Sequence, residues 1–175
     1  VVQISQPRAP CWKLGRRWHR LDMPKLVVES GRTGWYLRVL EAGDVARGAF
    51  ILEAAASDFP PGTVHLAVVD PGVGTTRRAL AVEARGALFV GPDNGLLEWA
   101  LCAPGAEVHA LTVERWFRRP VSRTFHGRDV FAPVAAHLSR GVALGEFGPR
   151  VHDPVRLPIP HPHGEGAELA GHVVF

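Results

Sequence analysis

Val64-His65-Leu66-Ala67-Val68-Val69-Asp70-Pro71-Gly72-Val73-Gly74 is a short apolar run that stops at an aspartate and a glycine-rich turn. Such a run reads as a strand over Val64–Val69 buried on both faces of a sheet, as parallel strands are. Open α/β sheets take their ligands at the carboxyl ends of strands, where Asp70 stands. The glycines that follow would let backbone approach a ligand closely. On spacing alone, Asp70 capping a turn is the slightly better explanation. The loop has neither the glycine spacing of a dinucleotide fingerprint nor the lysine of a phosphate-binding loop.

Working outward, the neighbouring segments keep the same rhythm. Pro60-Pro61-Gly62 is a turn. Before it, Asp44 is a candidate N-cap for an Ala-rich helix over Val45–Ala56, with Phe50, Ile51, Ala54 and Ala55 together on one side. After it, Ala79–Ala84 and Ala87–Val90 read as strands joined by a short turn at Arg85-Gly86. Leu96–Leu101 reads as a short helix, Val108–Leu111 as a strand, and Val130–Arg140 as a helix with Pro133 near its start. Strands alternating with helices predict an α/β domain over 44–150 with a mostly parallel sheet flanked by helices. The opening 1–43 is atypical, with Lys25–Glu29 and Trp35–Leu40 as its candidate strands. Residues 151–168, rich in Pro and His, read as a linker, and Leu169–Phe175 as one further strand.

Composition excludes several classes. With 46% hydrophobic residues over 175 positions, the chain can bury a core. No apolar run approaches the roughly 20 residues of a membrane span, and no signal-like stretch opens the chain, so a soluble, cytoplasmic protein without membrane partners is expected. Residues 1–50 carry a net charge of +5 and the remainder −2, so the folded body offers no basic face for nucleic acid. The two cysteines, Cys11 and Cys102, suggest no disulfide framework.

Four further groups are candidates for chemistry. Arg77-Arg78 follow the Asp70 loop, and only one of two neighbours on a strand can face a site. On local chemistry alone, two solvated surface arginines are the better explanation. In Thr124-Phe125-His126-Gly127-Arg128-Asp129, His126 is placed to act near a ligand or to pack its loop, and Asp129 to cap the next helix. Asp93-Asn94-Gly95 has the chemistry of a turn. His161-Pro162-His163 lacks a carboxylate partner, so no metal site is expected there.

Four segments in order resemble the motifs of one family. They are Phe59-Pro60-Pro61-Gly62-Thr63-Val64-His65, Val68-Val69-Asp70-Pro71-Gly72-Val73-Gly74, Gly91-Pro92-Asp93-Asn94-Gly95-Leu96-Leu97, and the run Thr124 through Leu138. Together they are similar to the S-adenosyl-L-methionine hydroxide adenosyltransferases, enzymes that hydrolyse S-adenosylmethionine to adenosine and methionine without a cofactor. The resemblance implies a catalytic triad of Asp70, Arg77 and His126, with Phe125 and Gly127 against the substrate. It also implies a C-terminal β-barrel and a homotrimer whose substrate lies between subunits. The related halogenases carry Tyr at the Asp70 and His126 positions and Ser at the Gly127 position, which favours water over halide here. The family's opening Thr-Asp-Phe-Gly strand is not found in 1–43, and the barrel is represented by 169–175 alone, so an incomplete, inactive form is expected. A metal-dependent hydrolase built on Asp70, His126 and Asp129, and a non-catalytic adenosine-binding module, are the other readings.

Overall fold

The computed structural model describes residues 2–4, 37–39 and 44–157. The chain divides into two compact units, Val1–Gly43 and Asp44–Phe175. In the first, β1 (Val2–Ile4) and β2 (Leu37–Val39) form an antiparallel ladder pairing Val2 with Val39 and Ile4 with Leu37. The candidate strand at Lys25–Glu29 lies outside the described residues, as does that at Leu169–Phe175.

The second unit opens with α1 (Val45–Ala56), started by Asp44, whose carboxylate accepts the Arg47 N–H at 2.8 Å. Its buried stripe is Ala49, Leu52 and Ala56, on the opposite side from the face expected. Gly48 explains the rotation. A Cβ there would stand 2.8 Å from side-chain atoms of both Leu96 and Val69, so the helix comes closest where it has no side chain. Leu52 and Ala56, four and eight positions on from Gly48, then face inward.

Four strands follow, β3 (Val64–Leu66), β4 (Ala79–Ala84), β5 (Ala87–Pro92) and β6 (Glu107–Ala110), in the order β3-β5-β4-β6. The α/β class stands, but the sheet is mixed. Only β3 and β5 pair in parallel, while β4 is antiparallel to both its neighbours. Three strands run one way and β4 opposes them. The cause is the connection between β4 and β5. Only Arg85 and Gly86 separate the paired Ala84 and Ala87, both with positive φ (53° and 73°), and a two-residue turn of that hand can only join antiparallel strands. The sheet order also corrects the expectation for the Val64–Val69 run. β3 is shorter than the apolar run and lies at the edge of the described strands, with Leu66 and Val68 exposed.

Side chains alternate across the sheet and fill a core on each face. Leu80, Val82 and Phe89 pack with Leu52 and Ala56 of α1 and Ala100 of α2 (Glu98–Leu101). Ala81 and Val90 pack on the other face with Phe131, Val134 and Leu138. These come from a π-helical turn (Gly127–Phe131) that runs into α3 (Ala132–Leu138), where Pro133 is accommodated in the first turn. The chain returns through a 3₁₀ turn (Leu144–Phe147), and Val151 N–H donates to Val108 O beside β6. Among the described residues no helix is long and apolar enough to cross a membrane.

Candidate active site

The carboxyl ends of β3 and β5 and the amino end of β4 share one edge of the sheet. Topology therefore gathers Asp70, Arg77, Arg78 and Asp93 within a few residues of that edge. The loop from Asp70 to Arg77 is two consecutive turns. Val73 N–H donates to Asp70 O, and both the N–H and hydroxyl of Thr75 donate to Gly72 O. The Thr75 hydroxyl in turn accepts the Arg77 N–H at 3.3 Å. This curl turns the Arg77 side chain back onto Asp70. Arg77 Nε donates to Oδ1 at 2.9 Å and to Oδ2 at 3.0 Å, and Nη2 donates to Oδ2. The two side chains are only 10% and 5% exposed, so this bidentate pair lies largely out of water.

Nη2 has a second proton, and it faces His126 Nδ1 at 2.8 Å. Asp70, Arg77 and His126 thus form one hydrogen-bonded chain, with Arg77 in the middle. Nη1 donates to the carbonyl of Arg78 at 3.3 Å, and the guanidinium lies 5.3 Å from the ring centre of the buried Phe131. Burial lowers the pKa of His126 from its ordinary value, and the adjacent Arg77 charge lowers it further. The imidazole is therefore held neutral.

His126 arrives on a loop that is itself fastened. A Cβ on Gly74 would stand 2.6 Å from the carbonyl oxygen of Arg123, and Gly74 has φ of 78°, so only glycine lets the two loops approach. The glycines after Asp70 thus admit a neighbouring segment of the protein. Asp129 holds the other end. It caps no helix, contrary to expectation. Its carboxylate is fully buried and accepts Ser122 N–H at 2.9 Å and Arg128 Nε and Nη2 at 2.7 and 2.9 Å. The Arg128 bond, then the Ser122 bond, pull its pKa well below the usual carboxylate range. Asp129 lies inside the π-helical turn, two residues past its first, and so is not at a helix N-cap. Phe125 is exposed at the loop's tip with the Arg128 guanidinium 4.8 Å from its ring centre, and Gly127 packs against Val68.

The two adjacent arginines separate, both of them just before β4 begins at Ala79. Arg78 Nε donates to Asp93 at 2.6 Å, and its Nη1 and Nη2 reach the carboxylate and carbonyl of Asp153 at 2.8 and 2.6 Å. Asp93 is thus more than a turn residue, since it also accepts Val155 N–H at 2.7 Å. Asn94 donates to Val69 O at 2.9 Å, which braces the backbone just before Asp70. Sequence inspection missed both roles. An unpaired Arg78 beside the site was the only signal that pointed to Asp93. The metal reading fares poorly on geometry. Arg77 fills the space between Asp70 and His126, and Asp129 is spent on Arg128 and Ser122.

Comparison with known proteins follows the same division. The MOSC domain family model matches residues 1–51, so the opening segment, which carried no resemblance on inspection, is similar to part of such a domain. Over 130 residues the chain is 54% identical to the (R)-S-adenosyl-L-methionine hydrolase of Salinispora tropica, covering 71% of this chain and 49% of that protein. A crystal structure of an uncharacterized conserved protein from Thermotoga maritima superposes with a TM-score of 0.66 at 40% identity, covering 70% of this chain and 48% of that one. A fluorinase from Nocardia brasiliensis is more distant, at 27% identity over 138 residues, 65% of this chain and 46% of that protein. The chain spans about half the length of these relatives. The family model for the SAM hydroxide adenosyltransferase N-terminal domain matches residues 38–148, most of the chain and every residue of the Asp70–Arg77–His126 constellation, and the chain belongs to that family.

Proposed function

We propose that the Asp70–Arg77–His126 constellation activates water for the hydrolysis of S-adenosylmethionine to adenosine and methionine. The observation that carries this reading is the bidentate Asp70–Arg77 pair with His126 on the same guanidinium. Water oxygen attacks the ribose 5′ carbon in line with sulfur. The carbon–sulfur bond breaks with its electrons going to sulfur, which leaves as the neutral thioether of methionine. The leaving group takes up no proton, so the site needs a proton acceptor for water and has no use for a general acid. Proton removal by a placed base contributes about 10²–10⁴-fold in rate. Holding water and carbon in line contributes on the order of 7 kcal/mol or more in good geometry.

Halide attack on the same carbon is the competing reading. Asp70, His126 and Gly127 stand where the halogenases carry Tyr, Tyr and Ser, and a base serves water but not an already anionic halide. Phe125 and Gly127 flank His126 and are proposed to contact the substrate, in a cytoplasmic homotrimer that shares each site between subunits. The test is to transplant residues 44–150 into the Salinispora tropica hydrolase in place of the matching segment. Released adenosine and methionine are expected, with at least a hundredfold loss in Asp70→Asn. Full activity in that variant, or a 5′-halogenated product, would reject the reading.

A further inference from the structure

We propose that His126 is a neutral hydrogen-bond donor through Nε2–H, and that Asp70, not His126, takes the proton of the attacking water. This rests on the reading above and divides the roles within it. The geometry is that of an arginine, which has protons to give and no lone pair to accept with. Arg77 Nη2 lies 2.8 Å from His126 Nδ1, so Nδ1 must be the acceptor. An imidazolium would put an N–H against an N–H between two like charges, which that distance forbids. A neutral imidazole with Nδ1 accepting carries its single proton on Nε2. Burial and the Arg77 charge favour the same neutral form. Neither ring nitrogen is then free to serve as a base, because one lone pair is engaged and the other nitrogen is protonated.

The remaining valences fit. Four of the five Arg77 N–H groups are placed, three reaching Asp70 and His126 through Nε and Nη2 and one on the Arg78 carbonyl. Among the described residues, nothing accepts from His126 Nε2. Asp70 Oδ1 accepts only from Arg77 Nε in the described residues, so it keeps a lone pair for a proton. A water donating to that Asp70 oxygen keeps a lone pair with which to attack carbon. Its proton passes to the Asp70 carboxylate as the carbon–oxygen bond forms.

Nitrogen NMR on the full chain with labelled histidine tests this without substrate. The His126 resonance is assigned by its loss in His126→Gln. Near neutral pH, Nε2 should carry the proton and Nδ1 should show the shift of an acceptor nitrogen. A proton on Nδ1 would overturn the proposal. In Arg77→Leu the tautomer preference should disappear, and an unchanged preference would show that Arg77 does not set it. If that variant fails to fold, the wild-type spectrum alone decides. The expected tautomer without adenosine release from the transplanted segment would reject hydrolysis and leave this assignment standing, whereas hydrolysis with Nδ1 protonated would do the reverse.

Discussion

Arg77 and Arg78 are neighbours in sequence and both pair with an aspartate at the same sheet edge, yet they build different things. Around Arg78, every strong group is consumed. Asp93 accepts Arg78 and the Val155 amide, and a few residues on Glu98 accepts Arg156 Nε and Nη2 together with the Leu157 amide at 2.9 Å. Two buried carboxylates thus take alternate amides of one extended segment and fix the path of residues 153–157 across the edge. Around Arg77, the same Arg–Asp chemistry ends on an imidazole whose second nitrogen finds no described partner. A fully satisfied network holds structure in place; one with a valence left over can hold a reactant. The ion pair alone does not mark a site, since both regions have one.

The sharpest way to break this comparison is to make the same change in both regions. Asp70→Asn in the transplanted segment should cost at least a hundredfold in rate and leave amide exchange at Val155 and Leu157 unchanged. Asp93→Asn should do the opposite. It should expose the Val155 amide to exchange, keep the His126 tautomer, and lower stability by about 1.5–3 kcal/mol, the range for a hydrogen bond to a charged group. Equal losses of activity in the two variants would erase the distinction.

Phe131 joins the Arg77 region to the core, and its removal separates packing from chemistry. It is fully buried and lies beneath the Arg77 guanidinium. Phe131→Ala should cost about 3–5 kcal/mol by thermal or denaturant unfolding. Phe131→Leu should restore most of that while still removing the ring. If Phe131→Leu keeps the His126 tautomer, the arginine is held by its hydrogen bonds and the ring only packs.

What the sequence disclosed and what it hid follow from distance along the chain. The Asp44 cap, the turn at Arg85-Gly86 and the loop after Val69 are local, set by residues within a few positions of each other. Resemblance singles out Asp70, Arg77 and His126; local chemistry alone favours a turn cap at Asp70 and a solvated Arg77, and balances His126 between a site and loop packing. The inward face of α1 was misjudged because it depends on Gly48 meeting Val69 and Leu96, which periodicity cannot register. In sequence Asp93 reads as a turn because its partner Val155 is 62 positions away, and Asp129 as a cap because Ser122 precedes it through a loop. The edge position of β3 needed the whole sheet order.

The smallest expected effect concerns pH, and it separates histidine from carboxylate contributions. His65 stacks on Phe89 at 4.8 Å and meets Phe59 edge-on at 5.4 Å, with its Nε2 buried and without a hydrogen-bond partner among the described residues. Burial lowers its pKa below the ordinary 6.5, as burial and Arg77 do for His126. With both folded pKa values below the unfolded one, the unfolded chain binds more protons in that interval, so stability rises with pH there. The contribution is fully present above 6.5 and is lost as pH falls through 6.5 towards the folded values. Carboxylates act in a lower window. Arg156, against the opposing cost of burial, holds Glu98 down from 4.5 to about 2, so its contribution is lost only across that range. Melting temperature should therefore fall in two stages on acidification, gently between pH 7 and 5 and again below 4.5. His65→Phe keeps the stack on Phe89 and removes the titration, so it should flatten part of the first stage and leave the second intact. A first stage unchanged in His65→Phe would assign the whole of it to His126 and the remaining histidines, and a melting temperature constant from pH 7 to 5 would show that neither ring is held neutral by the fold.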